Sequence, residues 1–181
     1  NLNTNADVVL TGEAAGNVFG CSVSSAGDVN GDGFSDVIVG AYGYSSNKGR
    51  AYIFYGSASM NNTADVIMTG ESNGNDFGTS VSTAGDVNGD GYSDVIAGAD
   101  LYSSNSGRAY IFFGGALMNN IADVTMTGAA ANNTFGKSVS SAGDVNGDGF
   151  SDVIIGANGY SSNTGRAYIF FGGAAMDNTS D

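Results

Sequence analysis

One nonapeptide returns at a fixed spacing of 58 residues, and nothing else limits the folding of this chain so tightly. It reads Asp28-Val29-Asn30-Gly31-Asp32-Gly33-Phe34-Ser35-Asp36, and it recurs from Asp86 to Asp94 and from Asp144 to Asp152. A fixed period of this order belongs to repeat architectures, whose units bury their apolar faces against one another. The chain of 181 residues therefore reads as a threefold array, either one domain or a fraction of a larger repeat assembly.

Each nonapeptide places oxygen side chains at alternate positions. A hard cation such as Ca²⁺ takes about six to eight oxygens at about 2.3–2.6 Å, and a tightly wound loop can supply them. The candidate ligands are Asp28, Asn30, Asp32, Asp36 and the backbone carbonyl of Phe34. Their repeats are Asp86, Asn88, Asp90, Asp94 and Tyr92, then Asp144, Asn146, Asp148, Asp152 and Phe150. This predicts about one Ca²⁺ per loop, or three per chain. Asp, Asn and Gly also favour plain turns, but without a cation three carboxylates in one tight loop repel each other. An EF-hand is excluded, because it needs a Glu at position 12 and a helix on each side. Position 12 is Val39, Ala97 or Ile155, and the residues after the loop form a β-branched apolar run.

Each period predicts four short strands: 19–26 leading into the acidic loop, 36–41 leaving it, 50–55, and 64–69. A polar loop spans Tyr42 to Gly49. No helical stripe of useful length is present. The second and third strands are apolar on both faces, as in a sheet covered on both sides. A radial stack of small four-stranded sheets has that property, and such a stack is a β-propeller. The fold class is accordingly all-β, with three four-stranded blades at about 19–69, 77–127 and 135–171.

Composition narrows the function. The net charge is −13, with 5 basic and 18 acidic residues, so nucleic acid and charge-driven docking on anionic membrane are not expected. No apolar run approaches the ~20 residues of a membrane helix. The opening Asn-Leu-Asn-Thr resembles no signal peptide. The chain has no His, so a histidine base is absent, and the clustered carboxylates are better used as metal ligands than as a catalytic pair. Catalysis is not expected. Cys21 is alone and cannot form an internal disulfide; its repeats are Thr79 and Lys137, a mixture that suggests an exposed or half-exposed strand position and not a reactive site.

The repeats resemble the FG-GAP family, the calcium-bearing blades of the integrin α-subunit propeller. Phe19-Gly20, Phe77-Gly78 and Phe135-Gly136 match the first half of its motif. Gly40-Ala41, Gly98-Ala99 and Gly156-Ala157 match the second, although Tyr42, Asp100 and Asn158 replace the usual Pro. The resemblance implies an extracellular or cell-surface adhesion or ligand-binding module with structural Ca²⁺. A scaffold without its own ligand, natural or engineered, and a glycan-binding lectin are the alternatives.

In such rings an N-terminal strand completes the last blade. Residues 6–12 repeat the fourth-strand sequence, and the chain ends soon after a third strand, so this exchange is expected here. Three blades are too few for a ring, since known rings have about four to eight. The expectation is a homodimer that closes six blades by exchanging these strands; the alternative is that these residues belong to a longer propeller.

Ligand-facing candidates lie on the rim opposite the acidic loops, where the segments before each FG and after each GA vary between repeats. Tyr44, Tyr102 and Tyr160, each followed by Ser-Ser-Asn, offer aromatic faces and amides to a sugar or protein. Arg50, Arg108 and Arg166 open each third strand and suit an acidic ligand. The alternative for both sets is packing within the blade, with each arginine on a carboxylate or an aromatic ring. Three Asn-x-Ser/Thr sequons, at Asn61, Asn132 and Asn178, carry little weight in a chain this rich in Asn and Thr.

Overall fold

A computed structural model describes residues 4–176. It contains three antiparallel sheets. The first has β1 (Val23–Gly27), β2 (Asp36–Ala41), β3 (Arg50–Phe54) and β4 (Val66–Thr69), in that spatial order. The second repeats it with β5 (Ser80–Gly85), β6 (Asp94–Ala99), β7 (Arg108–Phe112) and β8 (Val124–Thr127). The third has β9 (Phe135–Gly143), β10 (Asp152–Ala157) and β11 (Arg166–Phe170). Register repeats as well: Val39 opposes Tyr52, Ala97 opposes Tyr110, and Ile155 opposes Tyr168. These sheets are consistent with propeller blades.

The second and third strands are apolar on both faces because neighbours cover both. Every residue of β6, in the middle sheet, is buried. One cluster joins Ala26, Val29, Ile38 and Ile53 of the first sheet to Val81, Val95 and Ala97 of the second. Another joins Val87, Ile96 and Ile111 of the second to Val153 and Ile155 of the third. Phe77 and Phe135 meet Tyr110 and Tyr168 edge to face, at 5.2 and 5.4 Å. Such pairs are worth about 0.5–1.5 kcal/mol beyond their burial.

Three expectations need correction. The first strand of a blade is expected at 19–26 and its repeats; β9 begins at the matching Phe135, whereas β1 begins at Val23 and β5 at Ser80, although the same left-handed residues, Val18 and Gly20 or Thr134 and Gly136, stand at the start of β1 and β9 alike. The polar loop holds a left-handed turn, Tyr44–Asn47, with Ser45, Ser46 and Asn47 at φ 47°, 57° and 61°. Among the described residues, 6–12 form no strand and no fourth strand pairs with β11, so no strand exchange is made within the single chain. The paired edge expected of this segment belongs to the third sheet; here Leu10 instead packs beside Val39, Tyr52 and Phe54 of the first.

The left-handed turn recurs in all three repeats, which calls for a compensating interaction. A non-glycine residue in this region costs roughly 1–2 kcal/mol. The turn aims its carbonyls at the following sheet. Ser46 O accepts from Gly74 N at 3.0 Å, and Asn47 O accepts from Asp76 N at 2.9 Å. Ser104 O and Asn105 O accept from Asn132 N and Thr134 N at 3.1 and 2.8 Å. In the first two repeats the strained backbone thus also couples neighbouring sheets, while the third holds the same turn without such bonds among the described residues.

Candidate metal centres

Each acidic loop joins the first two strands of its sheet and is wound on its own carboxylates. Asp28 Oδ1 accepts from Gly31 N and Asp32 N at 2.7 and 3.1 Å, and its Oδ2 accepts from Gly33 N at 2.9 Å. Asn30 Oδ1 accepts from Asp32 N, and Asp32 Oδ1 from Phe34 N, both at 2.9 Å. Glycine supplies the positive φ that this winding requires, 77° at Gly31 and 89° at Gly33. The loops at Asp86 and Asp144 repeat these bonds.

The ninth residue does different work. Asp36 is fully buried; its Oδ2 accepts from Val29 N at 2.8 Å and its Oδ1 from Gly56 N at 2.7 Å. Asp94 and Asp152 do the same with Val87 and Gly114, and with Val145 and Gly172. This aspartate ties the start of the loop to the end of the third strand. Burial pushes the Asp94 carboxyl up to about 7, partly offset by the two amide donors and reinforced by Asp90 and Asp86. Burial raises Asp36 as well. Asp144 lies at the exposed end of the array, and the amide of Gly149, with those of Gly147 and Asp148, holds its carboxyl below the usual range.

The donor chemistry fits a hard cation: three carboxylates, an amide oxygen and a backbone carbonyl per loop, with no nitrogen or sulfur. Among the described residues, no three acidic side chains already converge at metal-ligand spacing. The carboxylates are instead directed onto loop amides, and an ion would have to draw Asp28 and Asp32 together beside Asp36.

The opposite rim is built from the two variable segments. Gly43 N donates to Asn17 O at 3.1 Å, and Gly159 N to Asn133 O at 3.2 Å, which brings the segment before FG against the one after GA. An open cleft of about 600 Å³ lies here at the third sheet, lined by Ala130, Asn132, Asn133, Tyr160, Ser162 and Asn163. The tyrosines and arginines of this rim engage each other. The guanidinium of Arg50 lies 3.6 Å from the Tyr44 ring centroid; Arg108 and Arg166 lie 3.8 Å from Tyr102 and Tyr160. Arg50 also binds Glu13 through both carboxylate oxygens, at 2.7 and 2.8 Å, and Arg108 binds Glu71 at 2.7 Å. The packing alternative therefore describes these side chains in the structure. Arg166 differs, because Ala129 stands at its carboxylate position and no carboxylate reaches it among the described residues.

Sequence reasoning missed two sets of residues. Glu13 and Glu71 each precede their arginine by 37 positions, a signal that was present in the sequence. Lys137 reaches back from the third sheet to the buried Asp100 of the second at 2.9 Å, and only the stacking of the sheets brings them together. Cys21 is an exposed residue whose Sγ donates to Gly78 O of the next sheet at 3.4 Å. Of the sequons, Asn61 and Asn132 are exposed, and Asn178 lies outside the described residues.

Comparison with known proteins agrees with this arrangement. A model of the FG-GAP repeat matches residues 19–54, 77–112 and 135–170. Integrin alpha-PS5 of Drosophila melanogaster is 35% identical over 162 residues, covering 83% of this chain and 16% of the relative. Integrin alpha-2 of Mus musculus is 34% identical over 160 residues, covering 82% and 14%. Integrin alpha-5 of Xenopus laevis is 31% identical over 164 residues, covering 83% and 16%. The chain thus spans about a sixth of the length of these relatives. Three matched repeats, each set on one of three like-ordered sheets, place the chain in the FG-GAP repeat family.

Proposed function

We propose that this chain is an extracellular, integrin α-like propeller module for adhesion or ligand binding, with Ca²⁺ held structurally in its three acidic loops. One observation carries the reading: the same oxygen-rich loop joins the first two strands in three FG-GAP repeats. A cation there would fix the first strand against the second and relieve the repulsion among the carboxylates of each loop. The candidate ligands are those of the nonapeptides, with Phe34, Tyr92 and Phe150 contributing only carbonyls. Extracellular calcium modules bind at about 10⁻⁴–10⁻³ M; at the tight end, a Kd of about 10⁻⁴ M, each site would add about 1.4 kcal/mol at about 1 mM Ca²⁺.

The partner face is the rim opposite the loops, where the repeats differ most in sequence and the cleft beside Tyr160 opens. A protein ligand is favoured over a sugar, because each tyrosine ring already has its own arginine on one face. The test has two arms. Native mass spectrometry in calcium counts the metal, with three ions per chain expected and none overturning the metal reading. An array of matrix proteins and glycans, probed with and without Ca²⁺, tests the ligand. Binding to neither class would leave a structural repeat without a ligand of its own.

A further inference from the structure

The third repeat keeps a carboxylate clamp but lacks the carboxylate. In the second repeat, Glu71 Oε1 accepts from Arg108 Nη1 at 2.7 Å and from the Tyr110 hydroxyl at 3.0 Å. In the first, Glu13 accepts from Arg50 Nη1 with both oxygens, at 2.7 and 2.8 Å. The arginine and its two tyrosines recur as Arg166, Tyr160 and Tyr168, but the residue in register with Glu13 and Glu71 is Ala129. The donors keep their arrangement all the same. Arg166 lies 3.8 Å from the Tyr160 ring centroid and 5.8 Å from that of Tyr168; Arg108 lies 3.8 and 5.9 Å from Tyr102 and Tyr110. Stacking thus holds the guanidinium against its rings whether or not a carboxylate is present.

Space and charge agree with an open clamp. Ala129 and Tyr160 both line the cleft of about 600 Å³ on this rim. Residues 124–143 and 153–176 hold no Asp or Glu, and their only charges are Lys137 and Arg166. Lys137 is already held by Asp100 of the second sheet, at 2.9 Å. Arg166 is therefore the cation of this repeat that has no counter-ion among the described residues. Position 129 lies between β8 and β9, so the missing carboxylate is a substitution inside the array.

We propose that this clamp receives an acidic side chain of a partner protein, whose carboxylate enters beside Ala129 and accepts from the Arg166 guanidinium and the Tyr168 hydroxyl, as Glu71 does from Arg108 and Tyr110. A guanidinium fixed in advance loses little freedom on binding, which favours such a contact. The cleft is far larger than one carboxylate, and its other walls, Asn132, Asn133, Ser162 and Asn163, offer amides and hydroxyls that suit a peptide backbone. The net charge of −13 repels a strongly acidic partner, so the clamp selects a single carboxylate in neutral or basic surroundings. The inference rests on this rim being the partner face, and it assigns the chemistry that the face reads.

NMR of the arginine Nε–Hε signals in the full chain tests it, with N-acetylglutamate methylamide as probe and its glutamine counterpart as control, at constant ionic strength. The Arg166 signal should shift saturably with the glutamate probe and respond at least about tenfold more weakly to the control, because a charge-assisted bond is lost. Arg50 and Arg108, already occupied, should stay unmoved. Ala129→Glu should abolish the Arg166 response by supplying the carboxylate from within, with the circular dichroism spectrum unchanged. Glu71→Ala should give Arg108 the same response, in a repeat covered by sheets on both sides. Equal shifts with both probes, an Arg166 response that survives Ala129→Glu, or an Arg108 signal that stays silent in Glu71→Ala would overturn the proposal. The array of matrix proteins keeps the two readings apart. A partner bound undiminished by Ala129→Glu defeats the clamp alone, and a clamp that takes the probe while no array protein binds defeats the partner reading alone.

Discussion

At the residue scale, the ninth position of the nonapeptide deserves separation from the other four. Asp94 satisfies two buried amides, those of Val87 and Gly114, with its two oxygens. Replacement by Asn leaves only one acceptor and turns an N–H toward an N–H. We expect Asp94→Asn to cost about 1–3 kcal/mol in urea denaturation even in EDTA, because a buried donor loses its partner. A loss seen only in Ca²⁺ would make Asp94 a ligand and nothing more. The arginines offer a second comparison. Arg108 has an ion pair, a Thr127 contact and a ring face, whereas Arg166 has ring faces and no carboxylate. Arg108→Ala should cost more than Arg166→Ala, by up to about 1 kcal/mol, the usual ceiling for an exposed pair. Equal costs would show that the stacking dominates and the ion pair adds nothing.

At the scale of the element, the glycine after each left-handed turn records how closely the sheets approach. A Cβ on Gly107 would fall on the backbone of Phe135, whereas one on Gly165 meets nothing nearer than Asn158 at 3.8 Å. Both have positive φ, 83° and 77°, so both pay the left-handed penalty of about 1–2 kcal/mol on becoming alanine. Gly107→Ala must also push the sheets apart. Its urea midpoint in dilute solution should fall well below that of Gly165→Ala, and matching midpoints would mean that the junction is looser than described. The strands themselves were legible in the sequence. β2, β6 and β10 begin and end where the β-branched runs do, because alternation and turn residues act locally. The late start of β1 and the left-handed turns were not legible. Ser-Ser-Asn carries no obvious demand for positive φ, yet the third repeat adopts it with no sheet beyond it among the described residues.

For the whole molecule, stability is shared between stacked cores and, on the proposed reading, bound metal. Ile96 lies at the centre of the middle sheet, fully buried and clustered with Val153 and Ile155 of the third. Ile96→Ala should cost about 2–5 kcal/mol in urea denaturation, since neighbours on both faces limit collapse of the cavity. A cost below about 1 kcal/mol would contradict so tight a stack. Removal of calcium should cost about 4 kcal/mol over three sites, which for a chain of this size lowers the melting temperature by on the order of 10 °C. An unchanged melting temperature on chelation would leave the acidic loops as ordinary turns.

The sequence alone determined the threefold period, the order of strands in each repeat and the winding of the acidic loops. These depend on residues near one another in the chain: alternating apolar side chains, glycines at tight turns, and aspartates within reach of amides two to five positions on. Only the tertiary structure decided which copy of a repeated residue is buried, that Asp100 meets Lys137, and that Leu10 packs on the first sheet while residues 6–12 form no strand. Identical sequences at Val23 and Val81, or at Val87 and Val145, end in opposite environments. Burial is a property of having a neighbour, and a repeat does not encode whether it stands in the middle of a stack or at its end.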